Sequence, residues 1–506
     1  MTNEHYDVII IGSGAGGSTL AYALAPTGKK ILVLERGKHI PREKENMDAR
    51  AVFIEKRYSP KDIWYDKSGN PFSPGMFYNV GGNTRFFGAT LFRLRKEDFG
   101  ELKHHEGISP AWPIPYEEFE PYYMEAEKLF AVHGQRGSDP TEPPASGPYP
   151  HPAVSHEPYV ESLAQQFTTK GYRSFPLPVG IRLNENDPTS QCIRCDTCDA
   201  FPCLIGAKAD AYTSALRPAL EHPNVMLLTD AYVQRLKTSP SGTDVTKVVV
   251  EHGGEILEFS ANIVVVSCGA VQSAALLLRS ENDLHPHGLG NSNNLVGRGY
   301  MGHGNSTWIL AISSKPNPTK FPKTLAIHDY YFGEEEFPFP MGAIQTVGKV
   351  SGTILKTKAP AFVPGAILNG IAGHSIAISV TSEDLPLPEN KVTLTRDGNI
   401  QLHYTMHNRL GHDRLVSKLL RTLRELGYHN LTYKLNIGDV AHQCGTTRFG
   451  EDPRTSVLDT NCRIHDVGNL YVVDAGFFVS SAAVNPALTV FANALRVAEH
   501  LKERLQ

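Results

Sequence analysis

The spacing of apolar positions changes rhythm several times along the chain. Tyr6 to Ile11 is a short apolar run, glycines follow it, STLAYALA has helical character, and KKILVLERG reads as a second strand. Together these make a βαβ unit. From Trp64 to Arg95 the chain is aromatic-rich and glycine-spaced, and its Gly-Gly-Asn demands turns or close backbone approach. Tyr116, Phe119, Tyr123 and Ala126 recur at helical spacing, so residues 112–127 read as a loop feeding a helix. Residues 134–152 are crowded with Pro, Gly and Ser and predict a surface excursion or lid. Strand patterns return in NVMLLTDAYVQRL, TKVVVEH and NIVVVSCGA, before the helical SAALLLRS. Between residues 304 and 439, runs such as HSIAISVTSED and NKVTLTRDGNIQLHYT predict a largely antiparallel sheet of its own. A strand, a loop and an amphipathic helix close the chain.

Composition narrows the class of function. The 506 residues are 41% apolar and 20% charged, as in an ordinary soluble globular protein. Lys and Arg number 49 against 53 Asp and Glu, without a basic block, so no nucleic-acid partner is expected. No run of about 18 apolar residues exists, which excludes a membrane-spanning helix. The acidic start MTNEHYD leads straight into the first strand and leaves no room for a secretory leader, so the expected compartment is the cytoplasm. Seven cysteines are too few for a disulfide-built scaffold, and four of them fall within twelve residues, which points to a local device.

Gly12-x-Gly14-x-x-Gly17 stands between the first strand and its helix, and Glu35 closes the second strand eighteen residues after Gly17. Gly12 permits the tight turn, Gly14 lets backbone approach a pyrophosphate, and Gly17 lets helix and sheet pack closely. The helix N-terminus, which begins around Ser13 and Ala15, supplies N–H groups to the phosphates. Glu35, followed by Arg36, is placed to accept hydrogen bonds from the adenosine ribose. An acid there disfavours a 2′-phosphate, so FAD or NAD is expected rather than NADP. The fingerprint alone does not choose between those two.

The chain as a whole resembles the glucose–methanol–choline (GMC) oxidoreductases. The blocks that carry the resemblance are the N-terminal fingerprint, VGGNTRFFGATLFRLR, WPIPYEEFEPYYMEAE, VVVSCGAVQSAALLL with Gly269, LVGRGYMGH, DLPLPENKVTL, and the closing stretch from HQCGTTRFG to VNPALTVFANALRVAEHL. The resemblance implies an FAD-dependent enzyme that oxidises an alcohol or sugar hydroxyl to the carbonyl. It implies an α/β fold, α+β overall, in which a Rossmann-like FAD-binding domain (1–100, 190–303 and 440–506) is interleaved with a substrate domain and lid (101–189 and 304–439) on a largely antiparallel sheet. Carried over by position, the family's catalytic His falls on His442, and its second catalytic position, His or Asn in the family, falls on Asn485. The chemistry asks for such a pair: an alcohol is a poor hydride donor until a neutral imidazole takes its hydroxyl proton, and an amide can donate to the developing alkoxide. His303 and His374 are the next candidates for the base.

The resemblance also places Gly81, Gly82, Asn83, Phe87, Gly88 and Ala89 near the isoalloxazine, Asp474, Ala475, Gly476 and Thr489 around the flavin, and the Val233 backbone against adenine. Some family members attach FAD through a His within the first of these segments. No His lies between Tyr78 and Arg95, so non-covalent FAD is expected. Trp64, Tyr65, Phe72, Phe77 and Tyr78 could stack on a sugar, enclose an apolar alcohol, or simply pack. A small alcohol or carbohydrate is the expected substrate, with oxygen, a quinone or a redox protein as electron acceptor.

Cys192-x-x-Cys195-x-x-Cys198-x4-Cys203 can bring several sulfurs to one centre, as an iron–sulfur cluster or zinc requires. Some family dehydrogenases carry a cluster in the corresponding region, but this spacing departs from theirs and lacks an adjacent Cys pair. A structural thiol or disulfide arrangement is therefore the expectation, with a metal possible. Cys268, Cys444 and Cys462 read as small buried residues. Two other functions remain open on the sequence: a flavoprotein subunit relaying electrons through a cluster within a dehydrogenase complex, and a non-redox lyase on the same fold.

Overall fold

The computed structural model describes residues 4–187 and 189–506; Met1 to Asn3, which open the N-terminal stretch, and Pro188 lie outside the described residues. The expected βαβ unit forms, with strand His5–Ile11, helix Ala15–Leu24 and strand Ile31–Leu34. Ile9 to Ile11 pair with Leu32 to Leu34 on one side and with Val264 to Val266 on the other, all in parallel. A strand buried on both faces has no use for alternation, which explains the unbroken apolar run. Strands Val225–Leu228 and Leu470–Val472 complete the parallel part of a seven-stranded sheet. Strand Glu255–Val266 serves two ladders. Its first half closes an antiparallel meander with Ala231–Thr238 and Val245–His252, and its second half enters the parallel core.

The loop-then-helix reading holds, as helix Tyr116–Leu129. It packs with helix Ala15–Leu24 against the last helix, Ala487–Arg504, where Phe130 stacks on Phe491 at 3.6 Å between centroids.

A second sheet of six antiparallel strands runs in the order His429–Lys434, Ser306–Ile312, Ser375–Thr381, Ala343–Thr346, Leu325–Ile327, Ser174–Pro176. One face carries Ile309, Ile344, Ile378 and Val380 into an apolar cluster with Leu415 and Leu419 of helix Arg409–Glu425 and Leu163 and Phe167 of helix Pro158–Thr169. The expectation of one sheet over 304–439 needs correction in two places. The hairpin Lys391–Leu394 and Ile400–His403 leaves it to pair with Trp64–Asp66, and Ser174–Pro176 enters it from well upstream. Strand patterning fixes which face is buried, not which partner supplies the next ladder.

The Pro-rich excursion is strapped down. Arg136 pairs with buried Glu127 and stacks over Tyr149 at 3.6 Å, while Asp139 pairs with the buried Arg95 at 3.0 Å. Buried ion pairs of this kind tie the segment to its neighbours, unlike a free flap.

Candidate active site

Two catalytic candidates come together through a single register. Met301 and Cys444 exchange backbone hydrogen bonds at 3.0 and 2.9 Å as an isolated antiparallel bridge. Two residues onward on one strand and two back on the other, His303 and His442 therefore stand opposite each other, with Nδ1 to Nδ1 at 3.0 Å. His303 holds a left-handed backbone, φ 55°. Its flanking Gly302 and Gly304 N–H groups both donate to Asp384 Oδ2, at 2.9 and 3.2 Å, and Tyr404 donates to the same oxygen.

The hydrogen bonds assign the tautomers. His303 Nε2 faces the Ser481 and Ala482 carbonyl oxygens at 3.2 and 2.8 Å, so it must carry the proton. With that one proton on His303, its Nδ1 accepts, His442 donates from Nδ1, and the lone pair of His442 is left on Nε2. That nitrogen lies 3.5 Å from Asn485 Nδ2. Burial, with the neighbouring His303 adding to it, pushes the His442 imidazole down to about 3, so it is neutral through the physiological range. Asn485 sits just before Pro486, where the last helix begins. Its loop is fixed by Ala483 N–H donating to Tyr331 Oη and by Ser481 Oγ donating to the Asp384 carbonyl. Below it, Tyr331 donates to Asp98, a carboxyl that burial and nearby Glu383 push up to about 7.

His442, Asn485, Ala483 and Val484 line a small, partly open cavity together with Phe92, Ala343, Gln345 and Thr381. His374 is elsewhere, at the end of helix Gly365–Gly373 against the Ser313 carbonyl. The aromatic segment is also elsewhere: Trp64 packs edge-on to Phe72, Phe77 stacks on Phe86, and Tyr78 carries the Arg36 guanidinium at 3.8 Å. These contacts pack the segment within the protein, and the aromatic side chain at the cavity is Phe92. Phe92, Gln345 and Thr381 escaped the sequence reading because nothing in their local pattern marks them. Asp384 was visible only as part of the DLPLPEN block.

The glycine fingerprint makes a cradle. A Cβ on Gly12 would stand 2.3 Å from Ser267 O, one on Gly16 1.8 Å from Val473 O, and one on Gly17 2.0 Å from Gly12 O. Gly14 differs, with open space where its Cβ would be. The helix it caps has neither a side-chain cap nor an acid in its first turn, which leaves N–H groups free for a pyrophosphate. Ser13 donates from N and Oγ to Glu35 Oε2, and Gly37 N–H donates to Oε1. One acceptor position of Glu35 remains for a ribose hydroxyl. Burial pushes its carboxyl up. Gly81 N–H reaches Ser13 Oγ at 3.1 Å, and Gly82 comes against Gly14, so the two glycine turns face each other. These residues fit a dinucleotide.

Other cofactor candidates are already engaged within the protein. Asn83 accepts from Phe77 N–H, and Arg36 makes a two-point pair with Asp62. Asp474 accepts from Gly476, Gly269 and Ser273, tying the Ala475 turn to helix Ala270–Arg279. Thr489 is fully buried with its hydroxyl on Tyr123 at 2.8 Å. Val233 lies on the edge strand of the large sheet, beside a bulge. Ala89 has φ 55°, and a Cβ on Gly88 would meet Asp199 at 2.5 Å.

That contact explains the four-cysteine segment locally. Asp199 pairs with buried Lys323 at 2.8 Å and accepts from Gly348 N–H, while Ala200 N–H donates to Phe86 O, so the segment braces Phe86–Gly88. Cys192, Cys195, Cys198 and Cys203 border a cavity with Ile181 and Phe321. All seven cysteines are free thiols, Cys444 and Cys462 buried and Cys268 partly so. Burial pushes the Cys192 thiol up to about 11. Among the described residues, no group of three or more His, Cys, Asp or Glu is arranged to hold a metal ion.

The chain thus has a mixed α/β fold with several sheets, a glycine cradle that fits a dinucleotide, and a cavity lined by His442 and Asn485. Two models of the GMC oxidoreductase family match the chain, the N-terminal one over residues 6–303 and the C-terminal one over 420–494, and the chain belongs to that family. The family is FAD-dependent, and this chain is an oxidoreductase acting on the CH–OH group of alcohols or sugars. It is 30% identical to 6'''-hydroxyparomomycin C oxidase of Streptomyces lividus, covering 99% of this chain and 92% of the relative. It is also 30% identical to paromamine 6'-oxidase of Streptomyces fradiae, covering 98% and 91%. Among solved structures, pyridoxine 4-oxidase from Mesorbium loti superposes with a TM-score of 0.69 at 18% identity, covering 98% of this chain and 99% of that one. Among the described residues, no helix is long and apolar enough to cross a membrane.

Proposed function

We propose that His442 Nε2 takes the hydroxyl proton of the bound alcohol while the Asn485 amide donates to the oxygen that gains charge. The observation that supports this reading is the His303–His442 contact: with the His303 proton directed from Nε2 to the Ala482 carbonyl, His442 donates from Nδ1 and its Nε2 lone pair faces the cavity beside Asn485. A neutral imidazole is needed for the task, and burial keeps it neutral. Asn cannot compete as a base, and its preorganised N–H costs no reorganisation when charge develops. FAD supplies the hydride acceptor when bound. Gly12, Ser13, Gly14, Ala15 and Gly17 would hold its pyrophosphate, with Glu35, Arg36 and the Val233 backbone at the adenosine end. Gly81 to Asn83, Phe87 to Ala89, Gly269 and the Asp474, Ala475 and Thr489 region would surround the ring.

The attachment is non-covalent in this reading. The cofactor-binding part comprises 1–100, 190–303 and 440–506, the segments that contribute every strand of the seven-stranded sheet. The substrate part comprises 101–189 and 304–439, which contribute every strand of the six-stranded one. Seven free thiols suit a cytoplasmic working compartment. Neither the relay subunit nor the lyase is favoured, since the relatives named above are oxidases. Anaerobic mixing of the yellow holoenzyme with a panel of alcohols and sugars should bleach the flavin, and acid precipitation should release all colour as FAD. No bleaching by any of them would contradict the proposed site, and colour left in the pellet would contradict non-covalent binding.

A further inference from the structure

The cavity's lining says more about the substrate than its size does. We propose that it takes an uncharged substrate bearing at least one hydroxyl besides the one oxidised, and that Gln345, with Thr381 beside it, holds that second hydroxyl. The inference rests on the reading of His442 given above and goes on to name the chemistry of what His442 meets.

Three observations carry it. First, the lining contains no carboxylate, Lys or Arg, and its single ionisable group, His442, is neutral. An ammonium group brought there would lose water with no anion to pair with, which is costly; a hydroxyl would not suffer this. Second, the side-chain amide of Gln345 has no hydrogen-bond partner among the described residues, although it lines the cavity. An amide both donates and accepts, so it can meet a hydroxyl in either sense. Third, the sheet register separates the two faces cleanly. Ala343 lies opposite Thr381 and Gln345 opposite Ser379, all on the cavity side, while Ile344, Ile378 and Val380 point into the helix-covered core. The Gln345 amide is therefore not a packing residue of that core. Thr381 Oγ1 makes only long contacts, accepting from Ser306 at 3.3 Å and lying 3.4 Å from Ser379 Oγ. Phe92 adds an apolar side chain to the same lining.

The test compares matched pairs on the holoenzyme: a methyl glycoside with its 2-amino-2-deoxy counterpart, and a 1,2-diol with the corresponding 2-amino alcohol. At pH 7 the hydroxyl member of each reactive pair should exceed the amino member in kcat/KM for flavin reduction by about 10-fold or more, the scale on which buried polar mismatch is rejected. Gln345→Glu supplies the missing anion and should narrow or reverse that ratio. Gln345→Leu and Thr381→Val should lower kcat/KM for the diol by about 10-fold and by clearly less for a simple monoalcohol, so that the diol-to-monoalcohol ratio falls. Titration of diol and amino alcohol into the slow His442→Ala holoenzyme should show the same order in binding alone. Equal use of both members by the wild type, or a ratio indifferent to Gln345→Glu in protein with full FAD content, would overturn the inference and leave His442 untouched. If no alcohol reduces the flavin, the reading of His442 falls and this one with it.

Discussion

The glycine cradle and the proposed catalytic cavity are built from opposite materials. The cradle is backbone: glycines at 12, 14, 16, 17, 81 and 82 bring strands, turns and a helix N-terminus within reach of one another, and Ser13 and Glu35 lock them. The cavity is side chain: Phe92, Gln345, Thr381, His442 and Asn485 arrive from separate segments spread from residue 92 to residue 485. A backbone device tolerates almost no added atom, whereas a side-chain device tolerates replacement and reports it in rate. Mutations in the two should therefore fail differently.

The largest effect is expected at Gly16. Its Cβ would overlap Val473 O at 1.8 Å, so Gly16→Val should yield no folded holoprotein, read as loss of both soluble protein and flavin absorbance. Asn485→Ala should fold and bind FAD normally yet reduce its flavin about 10²–10³ times more slowly, the usual loss for one preorganised donor. Gly14→Ala sharpens the comparison from the other side. Open space faces that position and its φ is an ordinary −73°, so the apoprotein should be as stable as wild type while FAD dissociates about 10-fold more readily in equilibrium dialysis.

Away from both regions, one effect is of pH. His412 is buried between Thr307 and Ser382 hydroxyls, and burial pushes it down to about 4. Between pH 6.5 and 4 the unfolded chain binds a proton there that the folded chain refuses, so stability present at neutral pH is lost on acidification. His412→Asn should remove about 2 kcal/mol of the stability difference between pH 7 and pH 5, seen as a smaller fall in Tm.

This contrast also explains what could be read from the sequence. Glycine spacing, the acid ending the second strand and the unbroken apolar run at Tyr6–Ile11 are local patterns, and the first unit forms as they indicate. The family blocks singled out His442 and Asn485, and the structure brings the two side chains within 3.5 Å of each other. The proton's position was not legible in the sequence: it depends on the 301–444 bridge that sets His303 against His442, a register between segments 139 residues apart. Gln345 and Thr381 were illegible for the same reason, since a strand pattern shows which face is polar but not what that face meets. The hairpin 391–403 illustrates the limit, having the alternation of the large antiparallel sheet and a different partner.

The proposed base is the His442 Nε2 lone pair. Anaerobic stopped-flow reduction of His442→Ala holoenzyme by a substrate the wild type uses well tests it most directly, because this step is separate from reoxidation. FAD content and fold should be unchanged, and the flavin reduction rate should fall about 10²–10⁴-fold, the contribution of a positioned base. Reduction at the wild-type rate would contradict the claim and send the search for the base to another residue.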